Sequence, residues 1–85
     1  MQPATLGGIP GAAEVRSRRR SESVREYRGT FVSTRDNDAR LLRLLETRER
    51  VEFRGVVDSE PTTLKVIVTD VSPTTGMVFF QGAGE

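Results

Sequence analysis

The stretch Asn37-Asp38-Ala39-Arg40-Leu41-Leu42-Arg43-Leu44-Leu45-Glu46-Thr47-Arg48, with Val51-Glu52-Phe53-Arg54-Gly55-Val56-Val57 behind it, decides how this chain is read. Leu41, Leu42, Leu44 and Leu45 fall at i, i+3, i+4 spacing and give one apolar stripe on a helix of roughly three turns. So short a helix does not persist in water without packing. Thr34, Arg35, Asp36 and Asn37 stop the preceding strand and cap the start of the helix, and the acidic Asp36 and Asp38 sit at the positive end of the dipole. Arg48 and Arg50 sit at the opposite pole. Behind it, Val51 and Phe53 alternate with Glu52 and Arg54 as a strand, and Gly55 reads as a bulge.

Downstream, Asp58-Ser59-Glu60-Pro61-Thr62-Thr63 is a turn with Pro61 as its fixed corner. Leu64-Lys65-Val66-Ile67-Val68-Thr69-Asp70-Val71 is the most β-prone run in the chain. Ser72 to Gly76 turns again, and Met77 to Gln81 is the closing strand. Upstream, Tyr27, Gly29 and Phe31 share one face of a strand over Val24–Ser33, with Val24, Thr30 and Val32 on the other. Both faces carry apolar groups, as in a strand covered from two sides. The expected fold is α+β, in the order β-α-β-β-β: one short helix packed on a small, mainly antiparallel sheet.

The first 23 residues read as an extended basic arm ahead of a domain at 24–81, with 82–85 as a mobile tail. Residues 1 to 13 carry two prolines and three glycines, and Leu6 and Ile9 are their only sizeable apolar side chains. Residues 14 to 23 alternate with a period of two and no apolar face, as in an exposed ribbon or an unstructured run. A folding unit of about 60 residues buries only ~60% of the surface of its unfolded chain. With no cysteine and no histidine, neither a disulfide nor an ordinary zinc site can staple it. Docking or oligomerisation is the remaining stabiliser.

The formal net charge of +1 conceals an asymmetry. Residues 15–28 hold six arginines against Glu22 and Glu26, or +4. Residues 36–85 hold six cations against nine carboxylates, or −3, while Glu14 and Arg35 cancel. Such a molecule attracts copies of itself or offers its arm to an anion. No apolar run is long enough for a transmembrane helix, and the N-terminus lacks the regions of a signal peptide. The expectation is a soluble protein made in the cytoplasm.

Catalysis by a His-activated serine or cysteine has no residues to run on. Lys65 is the only lysine and sits in mid-strand. Asp36-Asn37-Asp38 starts like a calcium loop, but the sixth-position Gly and twelfth-position Glu are missing, and helix capping explains it. No catalytic residue, metal site or cofactor is expected. Four arginines, Arg16, Arg18, Arg19 and Arg20, can neutralise several phosphates in a salt-sensitive way. Stacking partners for single strands are limited to Tyr27 and Phe31. Nucleic-acid binding through that run is therefore the alternative function, and docking on one larger protein by sheet-edge pairing is a third.

Three phrases together look familiar: Tyr27-Arg28-Gly29-Thr30-Phe31-Val32, Asp38-Ala39-Arg40-Leu41-Leu42-Arg43-Leu44-Leu45-Glu46, and Val66-Ile67-Val68-Thr69-Asp70-Val71-Ser72-Pro73-Thr74. They resemble the core of small structural proteins of phage-type tails and baseplates, including those of contractile injection systems. Leu6-Gly7-Gly8-Ile9-Pro10-Gly11 is similar to the leading arm of such proteins. The resemblance implies a non-catalytic virion subunit, assembling in rings or stacks with copies of itself or neighbouring tail proteins. The expected contacts are Leu6 and Ile9 on the arm, Arg16, Arg18, Arg19 and Arg20 against a carboxylate face, and Tyr27, Phe79 and Phe80. Phe79 and Phe80 alternate in phase, so one of them faces away from any single core.

Overall fold

The computed structural model describes residues 1–19, 21, 22, 24–33, 38–72 and 74–84. Among these residues six strands and one helix follow in order: β1 (Gln2–Leu6), β2 (Ile9–Arg19), β3 (Arg25–Ser33), α1 (Asp38–Thr47), β4 (Val51–Val57), β5 (Glu60–Val71) and β6 (Met77–Gly84). All pairings are antiparallel, and the strands close into a barrel in the order β1-β2-β3-β6-β5-β4. This overturns the balanced α+β expectation. The fold is dominated by its sheet, and the helix is an accessory to it.

The correction comes from the first 19 residues, which are two strands of the barrel and not an arm. Gly7 and Gly8 both adopt positive φ, 58° and 83°, and make a two-residue hairpin that pairs Leu6 with Ile9. Glycines at both central positions favour the primed turn whose twist matches its flanking strands. β1 then returns to β4 through Thr5↔Arg54 and Leu6↔Phe53, and the Gly7 N–H donates to Glu52 O at 2.8 Å. The folding unit is thus larger than the 24–81 segment, and the size argument for obligatory docking loses its premise.

The interior follows the period of two along the strands, interrupted in β5 between Val68 and Asp70. Leu6, Ile9, Phe31, Phe53, Val66, Val68, Val78 and Phe80 are buried at 2% exposure or less. A six-stranded barrel is narrow, so large side chains fit only where small ones face them. Phe53 and Phe80 stack with ring centroids 5.0 Å apart, and Ala4, Ala13, Gly11, Gly29 and Gly55 leave the room. Gly55 is in regular register with Thr62 and is no bulge. The irregularity lies in β5, between Val68 and Asp70. Pro61 is likewise inside β5, paired with Val56. Asp58 and Ser59 alone make that turn, with φ of 51° and 68°.

α1 packs against β5 and the first hairpin, burying Leu41 and half-burying Leu44 and Leu45 while Leu42 faces outward. Arg48 takes a left-handed φ of 51° and ends the helix, its N–H donating to Leu44 O at 3.0 Å. It therefore stands beyond the last turn, and that turn holds no basic residue. The stop and cap assigned to Thr34, Arg35, Asp36 and Asn37 lie outside the described residues, as does Pro73.

Candidate functional site

Pairing β2 with β3 and β3 with β6 builds a continuous outer wall. The register places Glu14 opposite Thr30, which is opposite Phe79, and Arg16 opposite Arg28. Residues opposite one another on one face of a sheet have Cβ atoms about 4.5–5.5 Å apart, close enough for like charges to repel. Each arginine of the pair has a carboxylate on its own strand. Arg16 lies 3.7 Å from Glu14, and Arg28 Nε donates to Glu26 at 3.2 Å. Both pairs are solvent-exposed, at least on the arginine side, so they hold the side chains only loosely.

A shallow depression of about 680 Å³ occupies this wall, bounded by Arg16, Arg18, Arg28, Glu14, Glu26 and Phe79. Phe79 is 37% exposed, whereas its neighbour Phe80 is 2% exposed in the core. The alternation expected of the two rings is thus realised, with one ring inside and one outside. Among the described residues, no group of three Asp, Glu, His or Cys could hold a metal ion.

Of the residues expected to make contacts, the wall brings together Arg16, Arg18 and Phe79. Leu6 and Ile9 are corrected: at 0% and 1% exposure they belong to the chain's own core and are not available to a neighbour. Phe80 is corrected for the same reason. Tyr27 is half-buried, on the inward phase of β3 between Ser17 and Gly82. Arg19 is exposed at the end of β2 on the phase opposite Arg16 and Arg18, and Arg20 lies outside the described residues. The arginine run is therefore divided between two faces, with Glu14 and Glu26 set among its outer members. Arg28, Glu14 and Glu26 were missed as site residues. The phase of Tyr27, Gly29 and Phe31 already placed Arg28 on the outside, but its partner strand could be found only from the register.

Closure also removes most of the sheet edge expected to recruit neighbours. β2 outruns β1 past Ala13, where residues 14–19 pair only with β3. There the β4–β5 turn leans in, and Ser17 Oγ donates to Asp58 Oδ2 at 2.7 Å, with Arg25 at 3.9 Å from the same carboxylate. Among the described residues, no helix is long and apolar enough to cross a membrane. Compared with known proteins, the chain matches no family model, no curated protein and no solved structure.

Proposed function

We propose that this chain is a non-catalytic structural subunit that joins other proteins through the outer wall of β2, β3 and β6. The resemblance of its sequence to phage-type tail and baseplate proteins makes a virion tail the setting of that role. One observation carries the reading: an exposed aromatic ring, Phe79, lies in a shallow depression with Arg16, Arg18 and Arg28 around it. Aromatic and arginine side chains are the groups enriched at protein interfaces and among their hot spots. The interleaved Glu14 and Glu26 favour a protein partner over nucleic acid, because they cancel two of the three outer cations at the surface a phosphate chain would follow.

Light scattering on the full chain tests the reading, with the expectation of a discrete species of several copies, or of a defined complex once tail proteins are added. Phe79→Ala should weaken that association and leave the unfolding temperature nearly unchanged. Salt-sensitive retention on DNA, lost in Arg16→Ser/Arg18→Ser and accompanied by no protein association, would transfer the function to the nucleic-acid alternative.

A further inference from the structure

The part of the β2 edge that closure leaves open has a definite chemistry. The carbonyl of Glu14 stands against Gly29 and that of Val32 against Gly11, so the even-numbered residues of β2 turn their main-chain groups toward β3. In an antiparallel pair the residues between them turn theirs the other way. On that side Ile9, Gly11 and Ala13 face β1, and Val15, Ser17 and Arg19 are next in phase, beyond the last β1 pair at Gln2. Among the described residues, no strand pairs with these three from that side, and no backbone bond outside the ladders reaches them. The β4–β5 turn is bonded to the hydroxyl of Ser17 and not to its main chain. Three N–H and three C=O groups thus stand in a row, and such a row accepts an extended peptide as a further strand.

We infer that the β2 edge over Val15–Arg19 takes an extended acidic segment of a partner protein as an added antiparallel strand. This deepens the structural-subunit reading above and rests on it, giving the joined protein a main-chain contact beside the side-chain wall. The charges select the partner. Residues 14–28 hold six arginines against Glu14, Glu22 and Glu26, and Asp58 brings the local balance to +2. Arg16 is spoken for by Glu14, Arg28 by Glu26 and Arg25 by Asp58, whereas Arg18 and Arg19 have no ion pair among the described residues. Both are exposed and they lie on opposite faces of β2. Residues of an added strand stand about 4.5–5.5 Å from those they oppose, so two adjacent carboxylates reach both arginines. Three positions further on, an apolar residue falls opposite the half-buried Val15. A second copy is the wrong occupant, since two such edges paired about Ser17 set Arg16 against Arg18. A phosphate chain is wrong too, because it offers no donors to the three carbonyls.

Binding of a labelled threonine-based peptide to the full chain tests the inference, the peptide carrying two adjacent glutamates and a valine three positions on. Fluorescence polarisation should show it binding about tenfold more tightly than a counterpart with lysines for the glutamates. Ser17→Pro deletes the central N–H of the edge and spares the β3 ladder, so it should weaken the peptide by about tenfold. Asp58→Ala loses the same bond to the Ser17 hydroxyl but keeps that N–H, and should bind the peptide at least as well as wild type. Hydrogen exchange on the wild-type chain gives a second readout that needs no variant to fold. The Val15, Ser17 and Arg19 amides should exchange fast in the free chain and slow on adding the peptide, while those of Arg16 and Arg18 stay protected throughout. Equal binding of the two peptides, or new protection anywhere but at those three amides, overturns the strand addition. Binding lost in Phe79→Ala but kept in Ser17→Pro overturns it as well and leaves the wall reading standing. A chain that binds neither the peptide nor any tail protein overturns both.

Discussion

Gly29 lies directly beneath the ring of Phe80: a Cβ built on the glycine would stand 2.5 Å from Phe80 Cζ and 2.9 Å from Glu14 O. The two residues are opposite one another across β3 and β6, so the ring occupies the space where a side chain would begin. Phe80 is itself stacked on Phe53 and has no room to withdraw. Gly29→Ala should therefore destabilise the barrel by roughly 1–3 kcal/mol, the range for overpacking a filled core. Urea unfolding measures it, and a midpoint equal to wild type would mean that the ring moves freely.

Leu6 separates the barrel from the free-arm picture more sharply than any other residue. It is fully buried and in register with both Ile9 and Phe53. Leu6→Ala should cost roughly 2–5 kcal/mol, as truncations in a close-packed interior do. Thermal melting provides the measurement. An arm resting on a neighbouring copy would leave the melting temperature of the dilute chain unaltered by this change.

Asp58 clips the β4–β5 turn to the far hairpin through Ser17, with Arg25 at the margin of ion-pair range. Removing the hydroxyl or the carboxylate, as Ser17→Ala or Asp58→Ala, should lower stability by about 1 kcal/mol each. The double variant should lose little more than either alone, since both changes delete the same bond. Asp58→Asn keeps an acceptor and forfeits only the exposed attraction to Arg25, which solvent screens to well under ~1 kcal/mol. Chemical denaturation of the four variants yields the coupling, and fully additive losses would show that the clip does not form.

Ser59 holds φ at 68° without being glycine. The left-handed region costs a side-chain-bearing residue about 1–2 kcal/mol, and Asp-Gly is among the pairs best suited to a two-residue primed turn. After the larger unfolded-state entropy of glycine is subtracted, Ser59→Gly should raise stability by roughly 0.5–1 kcal/mol. An unchanged or lowered denaturation midpoint would contradict the turn geometry.

Much of the wall-building pattern was legible in the residues themselves. The strand over residues 51–57 and the opposed phases of Phe79 and Phe80 follow from periodicity alone, and so does the helical stripe except for Leu42, which was placed on it with Leu41, Leu44 and Leu45 but faces outward. Two misreadings had one cause. Gly7-Gly8 and Gly11 were read as marks of a loose tail, although Gly-Gly between Leu6 and Ile9 is also a hairpin signal and Gly11 makes room for the Phe31 ring. Glycine carries no side chain to announce whether it loosens a segment or lets another side chain press against it, and only the partner strand decides. Pro61 misled in the same manner, since its missing N–H costs nothing where the β5 pairing does not require a donor. The docking wall was half visible: the alternation of Arg16 and Arg18 pointed outward, but their meeting with Arg28 and Phe79 depends on strand neighbours no local pattern reveals.

The joint between β1 and β4 spans the whole helical excursion of the chain yet is short, made by Thr5 and Leu6 with the Gly7 N–H beside them. During synthesis Leu6 leaves the ribosome well before Phe53 exists, with only its own hairpin for company. A lone hairpin is marginal in water, so its greasy side waits uncovered until the fourth strand is made. The first hairpin thus stays bare on that side until β4 is made, and a truncated product ending within the helix would leave it so permanently.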